Sequence, residues 1–203
     1  MLLFVPALVW AQADDRDRQF WNGKFRDPET KFKHEASSLL VQAVQGRKAG
    51  RAIDLGMGQG RNALYLAAHG WQVTGVDLSD VAVAQAKAQA ARQGLALDAV
   101  VDNLDHYDTG KDRWDLITMF YVHAWYHSAK PGVVARLRDA LKPGGLLVME
   151  GFAGEPGFMF HTNELLHDFA DLRILFYEDA EREAEWAPGA KSHVIRMVAE
   201  KGR

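Results

Sequence analysis

Residues 53–70 read IDLGMGQGRNALYLAAHG, an apolar run followed by three alternating glycines and a stretch with helical periodicity. The glycines are Gly56, Gly58 and Gly60. Because glycine adopts positive φ and lets a ligand approach the backbone, the segment predicts a tight turn from a buried strand into a helix. The free amides at a helix N-terminus favour an anionic group. The turn therefore predicts a ligand site.

Strand and helix patterns alternate on both sides of this turn. The predicted strands are 52–55, 71–76, 95–101, 114–120 and 146–151, and the predicted helices are 38–45, 62–69, 80–93 and 133–141. Such alternation predicts an α/β fold, a Rossmann-like, doubly wound and mostly parallel sheet with helices on both faces. Residues 142–145, KPGG, predict a turn before the fifth strand.

The rhythm changes after residue 162. A predicted helix, 163–170, precedes two strand patterns, 172–177 and 193–199, which only a charged stretch and a Pro-Gly pair separate. Since no crossover helix fits between them, we expect a C-terminal antiparallel strand pair at the sheet edge, seven strands in all. We expect residues 18–203 to form a single domain.

Residues 1–17 form an apolar N-terminal segment with two open interpretations. Residues 2–10 are too short to span a bilayer, and Ala11-Gln12-Ala13 has the small-x-small pattern of a signal-peptidase site. The segment is either a cleaved export signal, although it lacks a basic start, or an arm that packs on the domain. We expect a cytoplasmic protein, or an exported one if residues 1–13 are a signal peptide, and no membrane association.

Composition excludes several classes of site. The chain of 203 residues has a net charge of −3, no Lys/Arg run and no cysteine. There is thus no sign of nucleic-acid binding, and a disulfide framework, a thiolate metal site and a cysteine nucleophile are excluded. The eight histidines are scattered, and we expect no metal site. We expect a monomer or homodimer.

Two phosphate-binding interpretations of the turn meet difficulties. A P-loop needs Gly-Lys-Ser/Thr where this chain has Gly60-Arg61-Asn62. The dinucleotide fingerprint needs its third glycine where Arg61 stands. Acidic residues nevertheless follow neighbouring strands: Asp54 and Asp77 at the first two strand ends, and Asp102 after the third. A carboxylate at the second strand end suits the ribose diol of NAD or of S-adenosylmethionine.

The D-L-G-x-G-x-G turn, the acidic strand ends, the KPGG turn and the terminal strand pair together resemble the class I S-adenosylmethionine-dependent methyltransferases. The likeness runs from about residue 18 onward. DLGMGQGRNALYLAAHGWQVTGVD and residues 157–177, GFMFHTNELLHDFADLRILFY, are also similar to the small tellurite-resistance methyltransferases. One departure is Met57, where that family often has Cys or Ala.

The resemblance implies S-adenosylmethionine as the cofactor. Asp77 is suited to the ribose hydroxyls and Asp102 to the adenine, and in the resembled family the counterpart of Asp54 orders the turn. The predicted cofactor-binding residues are Asp54, Gly56, Met57, Gly58, Gly60, Arg61, Asn62, Asp77, Leu78, Asp102, Asn103, Leu104 and Phe120. Residues 20–25, FWNGKF, resemble the arm that many small methyltransferases fold over cofactor and substrate.

Residues 120–127, FYVHAWYH, predict a loop over the methyl group. Aromatic faces suit a sulfonium cation, and the candidate catalytic residues are His123, His127 and Tyr121. The alternative is a packed aromatic cluster. For His34, a solvated helix start is the favoured interpretation over a place in the pocket.

These patterns indicate methyl transfer from S-adenosylmethionine to a small-molecule acceptor, with soft nucleophiles (thiol, selenium or tellurium species) favoured by the subfamily likeness. Two alternatives stay open. One is a nicotinamide-dependent oxidoreductase, which the glycine spacing opposes. The other is a non-catalytic S-adenosylmethionine-binding sensor or scaffold, for which Met57 is the supporting feature.

Overall fold

The computed structural model describes residues 7–129, 132–155, 157–185, 189 and 191–202 and contains seven strands. They are β1 Arg51–Leu55, β2 Gln72–Asp77, β3 Asp98–Val101, β4 Trp114–Phe120, β5 Leu141–Phe152, β6 Arg173–Glu183 and β7 Lys191–Glu200. They form one sheet in the order β3-β2-β1-β4-β5-β7-β6. The first five strands are parallel, while β7 runs antiparallel to both β5 and β6. The predicted fold class and terminal antiparallel pair are confirmed.

Seven helices accompany the sheet within the described residues. They are α1 Ala7–Arg26, α2 Ser38–Val44, α3 Arg61–Ala68, α4 Asp80–Arg92, α5 His123–Ser128, α6 Gly132–Ala140 and α7 Glu164–Asp168. The hydroxyl of Ser79 accepts a hydrogen bond from Ala82 N at 3.1 Å, so Ser79 is the N-cap of α4, as predicted.

The core lies on both faces of the sheet because successive strand residues point to opposite sides. On β1, Ile53 and Leu55 belong to one buried apolar cluster and Ala52 to the other. On β4, Ile117 and Leu116 divide in the same way. The sheet is therefore covered on both faces, as parallel strands require.

Two local expectations were wrong. Residues 142–145, predicted as a turn, lie inside β5, where the register with β4 shifts between Trp114 and Leu116. Gly144 takes a φ of 79° there and its N–H donates to Lys201 O at 2.9 Å, so the irregularity is absorbed within the strand. Residues 123–128, predicted as part of a loop, form the helix α5.

Helix α1 runs without a break across residue 17, and its C-terminal part is anchored to the start of α4. The side-chain amide of Asn22 donates to Asp80 at 2.7 Å, and its oxygen accepts from the Ser79 hydroxyl at 2.6 Å. Residues 1–6 of the predicted N-terminal segment lie outside the described residues. Among the helices described, none is long and apolar enough to cross a membrane.

The departure at Met57 is accommodated by the neighbouring strand. The Met57 side chain is buried, and its sulfur lies 2.1 Å from where a Cβ on Gly75 would stand. Gly75 belongs to β2, beside the turn. The missing side chain on β2 thus provides the room that the larger residue in the turn requires.

We expect Gly75→Ala to destabilise the fold by about 1–3 kcal/mol, because the added methyl overlaps the Met57 thioether. Urea unfolding measures this cost. In a Met57→Ala background the same substitution should cost much less, so the two changes should be non-additive. Equal costs in both backgrounds would contradict the proposed packing.

A carboxylate is buried between the two central strands. Asp54 on β1 is 2% exposed, and Thr118 on β4 donates a hydrogen bond to its Oδ1 at 2.7 Å. Desolvation raises the pKa of Asp54 to about 6, although the Thr118 bond and the charge of Arg61 oppose the shift. Asp54 therefore links β1 to β4 where the glycine turn begins.

The raised pKa gives a stability effect of definite sign. Since the folded pKa lies above the unfolded value of 3.8, the native state keeps a proton that the unfolded chain releases, and stability falls as pH rises through about pH 4 to 6. Asp54→Asn cannot ionise, so its stability relative to wild type should rise by about 1–3 kcal/mol across that window. Urea unfolding at both ends of the window tests this, and a difference that does not change with pH would contradict it.

Candidate cofactor and acceptor site

The glycine turn is attached to the end of the neighbouring strand β2. Gly56 N and Met57 N both donate to Val76 O, at 2.8 Å and 3.1 Å. Gly58 N donates to the Asp77 carboxylate at 2.8 Å. The turn is thereby placed directly beside the acidic residue that ends β2.

All three glycines of the turn need their conformational freedom. The φ angles of Gly56, Gly58 and Gly60 are 75°, 55° and 83°, in the region that side chains disfavour. A Cβ on Gly56 would lie 2.2 Å from the Val122 side chain, and one on Gly58 would lie 3.3 Å from the Phe25 ring. The turn is therefore in close contact with the segment after β4 on one side and with α1 on the other.

A cavity of about 680 Å³ opens above this turn. Its volume lies in the range of small-molecule sites. The predicted site residues that line it are Asp54, Gly56, Met57, Gly58, Arg61, Asn62, Asp77, Leu78, Asn103, Leu104, Phe120 and Tyr121. The structure thus brings most of the predicted residues to one cavity, at the carboxyl ends of the parallel strands.

Two predicted cofactor residues lie outside this lining. Gly60 is the N-cap of α3, so its role is in the turn rather than in the cavity wall. The carboxylate of Asp102 accepts a hydrogen bond from Asn103 N at 2.8 Å and does not line the cavity, whereas Asn103 does.

The structure places His123 away from the cavity. Its ring is 8% exposed and packs among Phe152, Phe158 and Phe160, with ring centroids 5.7–6.3 Å away. Burial, and secondarily the nearby His127, lowers the pKa of His123 to about 4. The imidazole is therefore neutral at physiological pH, and among the described residues its Nδ1 has no hydrogen-bond partner. The surroundings of His123 are those of a packed aromatic cluster, which was the alternative interpretation of this segment.

His127 lies on the same side as His123 and also outside the cavity lining. Its Nε2 is 3.3 Å from a carboxylate oxygen of Glu164, and its ring centroid is 5.8 Å from that of His161. His123 and His127 stand four residues apart on α5, a spacing that metal-binding pairs also use. In the described part of the chain, however, no group of three or more His, Asp or Glu side chains could hold a metal ion.

The conformation of Tyr121 explains where the imidazoles lie. Its φ of 61° turns the chain sharply after β4, and α5 then begins at His123. Tyr121 consequently lines the cavity while the two histidines do not. A positive φ at a tyrosine has no clear sequence signal.

Asp77 offers a partly buried carboxylate to the cavity. One oxygen accepts from Gly58 N and the other from Ser79 N, each at 2.8 Å. Burial raises the pKa of Asp77, while the two backbone hydrogen bonds oppose that shift. Each carboxylate oxygen can accept a further hydrogen bond. Asp77 can therefore hold the turn and accept from a vicinal diol at the same time.

Arg61 offers a cation at the same end of the cavity. Its Nη1 donates to the carbonyl oxygens of Glu35 and Glu185, at 3.4 Å and 3.1 Å. Its Nη2 is buried and has no hydrogen-bond partner among the described residues. Arg61 lines the cavity at the start of α3, so this unused donor suits a carboxylate.

The remaining cover of the cavity comes from the N-terminal part of the chain. The rings of Phe20, Trp21, Phe25 and Phe32 follow one another at centroid distances of 5.3, 6.2 and 5.0 Å, and all four line the cavity. The sequence indicated this arm through residues 20–25. For His34, the sequence favoured a solvated position over a place in the pocket. In the structure His34 is exposed to solvent and also lines the cavity.

Sequence reasoning missed a buried polar network behind Tyr121. The Tyr121 hydroxyl donates a short hydrogen bond to Glu150 on β5, and Arg196 on β7 donates to the same carboxylate at 3.0 Å. A signal was present, since each charge interrupts an apolar strand pattern, LLVMEGF and HVIRMVA. Two opposite charges in neighbouring apolar strands indicate a buried pair.

Comparisons with known proteins agree with this geometry. Residues 52–145 match the family described as "Methyltransferase domain". A protein of Eikenella corrodens named Hemagglutinin 1 is 33% identical over 152 residues, which are 70% of this chain and 50% of that protein. A ribosomal RNA small subunit methyltransferase C of Alcanivorax borkumensis is 34% identical over 131 residues, 56% of this chain and 36% of that protein. The chain spans half or less of the length of these two relatives.

Among solved structures, TehB of Haemophilus influenzae has the same fold. It superimposes with a TM-score of 0.73 over 91% of this chain and 66% of that one, at 20% sequence identity. The glycine turn after β1 and the acidic end of β2 lie within the residues that match the family. Residues 52–145 therefore match a methyltransferase domain, and the chain shares the fold of TehB.

Proposed function

We propose that the protein transfers the methyl group of S-adenosylmethionine to a small-molecule acceptor. The observation that carries this proposal is the joint position of Asp77 and the glycine turn at the edge of the cavity. A carboxylate that accepts from Gly58 N and still faces the cavity is suited to a ribose diol. The family match and the similarity to the ribosomal RNA methyltransferase support methyl transfer as the reaction.

The described residues fit this cofactor by their chemistry. Asp77 would accept from the ribose hydroxyls, and the unused Nη2 donor of Arg61 would bind the methionine carboxylate. Leu78, Asn103 and Leu104 line the cavity beside Asp77 and would flank the adenine. When bound, S-adenosylmethionine supplies an electrophilic methyl group on a sulfonium.

The protein's part in the reaction is to align the reactants and exclude water. Methyl transfer is a direct displacement, so proximity and in-line orientation supply much of the rate. The aromatic arm of Phe20, Trp21, Phe25 and Phe32 covers the cavity and keeps water from the reacting groups.

The acceptor that we propose is a small soft nucleophile, such as a thiolate or a selenium or tellurium anion. Such a nucleophile arrives ionised and needs no general base. Besides Arg61, the cavity lining offers Lys33 as a cation for such an anion, and the proton of the Tyr121 hydroxyl is directed to Glu150. The resemblance of residues 54–77 and 157–177 to the small tellurite-resistance methyltransferases supports this choice.

The two alternatives have less support. Met57, which favoured a non-catalytic sensor, is buried and packs against the position of Gly75. The glycine spacing opposes the oxidoreductase interpretation, since Arg61 stands at the position of the third fingerprint glycine.

Cofactor binding is tested with S-adenosylhomocysteine. At a hundredfold excess over its dissociation constant it should stabilise the protein by about 2.7 kcal/mol. Asp77→Asn should weaken binding by at least about tenfold, because a charge-assisted acceptor is lost. Calorimetry measures both values.

The matched control is Asp98→Asn. Asp98 begins β3, accepts a hydrogen bond from Thr74 at 3.2 Å and does not line the cavity. Its substitution should leave the affinity unchanged. Stabilisation by NAD and none by S-adenosylhomocysteine would overturn the proposed cofactor.

Acceptor class is tested with the pair 4-nitrothiophenol and 4-nitrophenol. The thiol should be methylated faster, and its kcat/KM should follow only its own ionisation. His123→Ala should lower turnover by about tenfold or less, since its imidazole is neutral and lies outside the cavity. His34→Ala serves as the comparison, because His34 lines the cavity and His123 does not. Preference for the phenol, with activity lost in either histidine variant, would assign a general base and contradict the soft-acceptor proposal.

A further inference from the structure

Tyr121 has an unfavourable backbone conformation, and Glu150 on the neighbouring strand β5 contacts it at two points. Its φ of 61° lies in the left-handed region, and such a conformation persists at a tyrosine only where its surroundings enforce it. Its backbone N–H donates to Glu150 O at 2.7 Å, and its hydroxyl donates to the Glu150 carboxylate. Glu150 thus binds Tyr121 at both ends of the residue.

The Glu150 carboxylate is in turn fixed from the opposite side. It is 2% exposed, and Arg196, its register partner on β7, donates from Nε at 3.0 Å. The other nitrogens of Arg196 donate to Glu178 and to the Ser38 hydroxyl, each at 3.0 Å. These three hydrogen bonds fix the orientation of the planar guanidinium. Because Arg196 is paired with Glu150 across β5 and β7, it also fixes the position of the Glu150 carboxylate.

Tyr121 has a second restraint, from the end of β6. The backbone N–H of Glu185 donates to the Tyr121 hydroxyl at 3.1 Å. The Glu185 carbonyl accepts from Arg61, and its carboxylate accepts from Ser38 N at 2.9 Å. The restraint on Tyr121 is therefore shared with Arg61 of the cofactor turn.

The segment that these contacts fix is the wall of the cavity beside the glycine turn. Phe120, Tyr121 and Val122 all line the cavity. The Val122 side chain occupies the space that a Cβ on Gly56 would need, and Arg61 lies 6.0 Å from the Phe120 ring centroid. A change in Tyr121 would move this wall relative to the turn.

We propose that Glu150 is a positioning residue that acts through Tyr121 to fix the acceptor-facing wall of the cavity. The proposal rests on the methyltransferase function proposed above. Glu150 does not line the cavity, so its effect on the acceptor passes through the tyrosine. Arg196 supports Glu150 by supplying the opposite charge within the sheet.

A double-mutant cycle in kinetics tests the coupling. With 4-nitrothiophenol as acceptor, Glu150→Gln and Tyr121→Phe should each lower kcat/KM by about tenfold, mostly through the acceptor KM. The dissociation constant of S-adenosylhomocysteine should change by less than about twofold. The double variant should be no worse than the poorer single variant. Multiplicative losses, or equal losses of cofactor affinity, would overturn the proposal.

Glu178→Gln is the matched control. Glu178 binds the same guanidinium at the same distance, 3.0 Å, but the contacts described for Tyr121 do not include it. The control should keep the wild-type kcat/KM and acceptor KM. A loss as large as that of Glu150→Gln would show that the charge balance of Arg196, and not the tyrosine, is responsible. If Glu150→Gln does not fold, the kinetic test uses Tyr121→Phe alone, because this substitution removes only the hydroxyl.

A second readout does not depend on turnover. The chain has five tyrosines, so protein labelled with 3-fluorotyrosine gives five fluorine signals, and Tyr121→Phe assigns one of them. Glu150→Gln should shift or broaden the Tyr121 signal, and Glu178→Gln should leave it in place. An unchanged signal in Glu150→Gln would overturn the positioning role. If wild type methylates neither probe, the proposed function fails while this measurement still decides the role of Glu150.

Discussion

The site depends on the hydrogen bonds that attach the glycine turn to the end of β2. Val76 O accepts from two successive amides of the turn, and the Asp77 carboxylate accepts from Gly58 N. Because β1 and β2 are adjacent parallel strands, their carboxyl ends lie at the same edge of the sheet. The buried strand β2 therefore sets the position of the turn. Because α3 begins directly after the turn, the position of Arg61 is set as well. The carboxylate that shapes the turn also faces the cavity, so the protein's own fold and ligand binding use the same side chain.

The buried acidic groups around the cavity are stabilised in different ways. Asp54 has a neutral donor, Thr118, and its pKa rises because desolvation exceeds that hydrogen bond. Glu150 is buried to the same extent but has a guanidinium 3.0 Å away on the next strand. Removing one partner of such a pair leaves the other charge buried and is costly. The antiparallel strand β7, which lies between β5 and β6, thus supplies the charge that allows Glu150 to bind Tyr121.

The parts of the structure that local patterns determine could be predicted from the sequence. Alternating apolar runs and the glycine spacing predicted the five parallel strands and the turn, since both depend on residues close in the chain. The position of His123 could not be predicted in this way. It follows from the positive φ of Tyr121, which long-range bonds to Glu150 and Glu185 maintain. Similarly, KPGG is a strong turn signal, but residues 142–145 form an irregularity within β5, where its register with β4 shifts.

The floor and the cover of the cavity are held by different kinds of contact. The floor is the glycine turn and the strand ends, which backbone hydrogen bonds of the central sheet fix. The cover is the arm, which contacts the rest of the protein through side chains: Asn22 binds Ser79 and Asp80, and Phe25 lies against Gly58. The side chain of Gln85 adds one bond, to Phe25 O at 3.0 Å. A segment that is held by only a few contacts of this kind has a low local stability. A ligand in the cavity would therefore lie between a floor fixed by the backbone hydrogen bonds of the sheet and a cover fixed mainly by side-chain contacts.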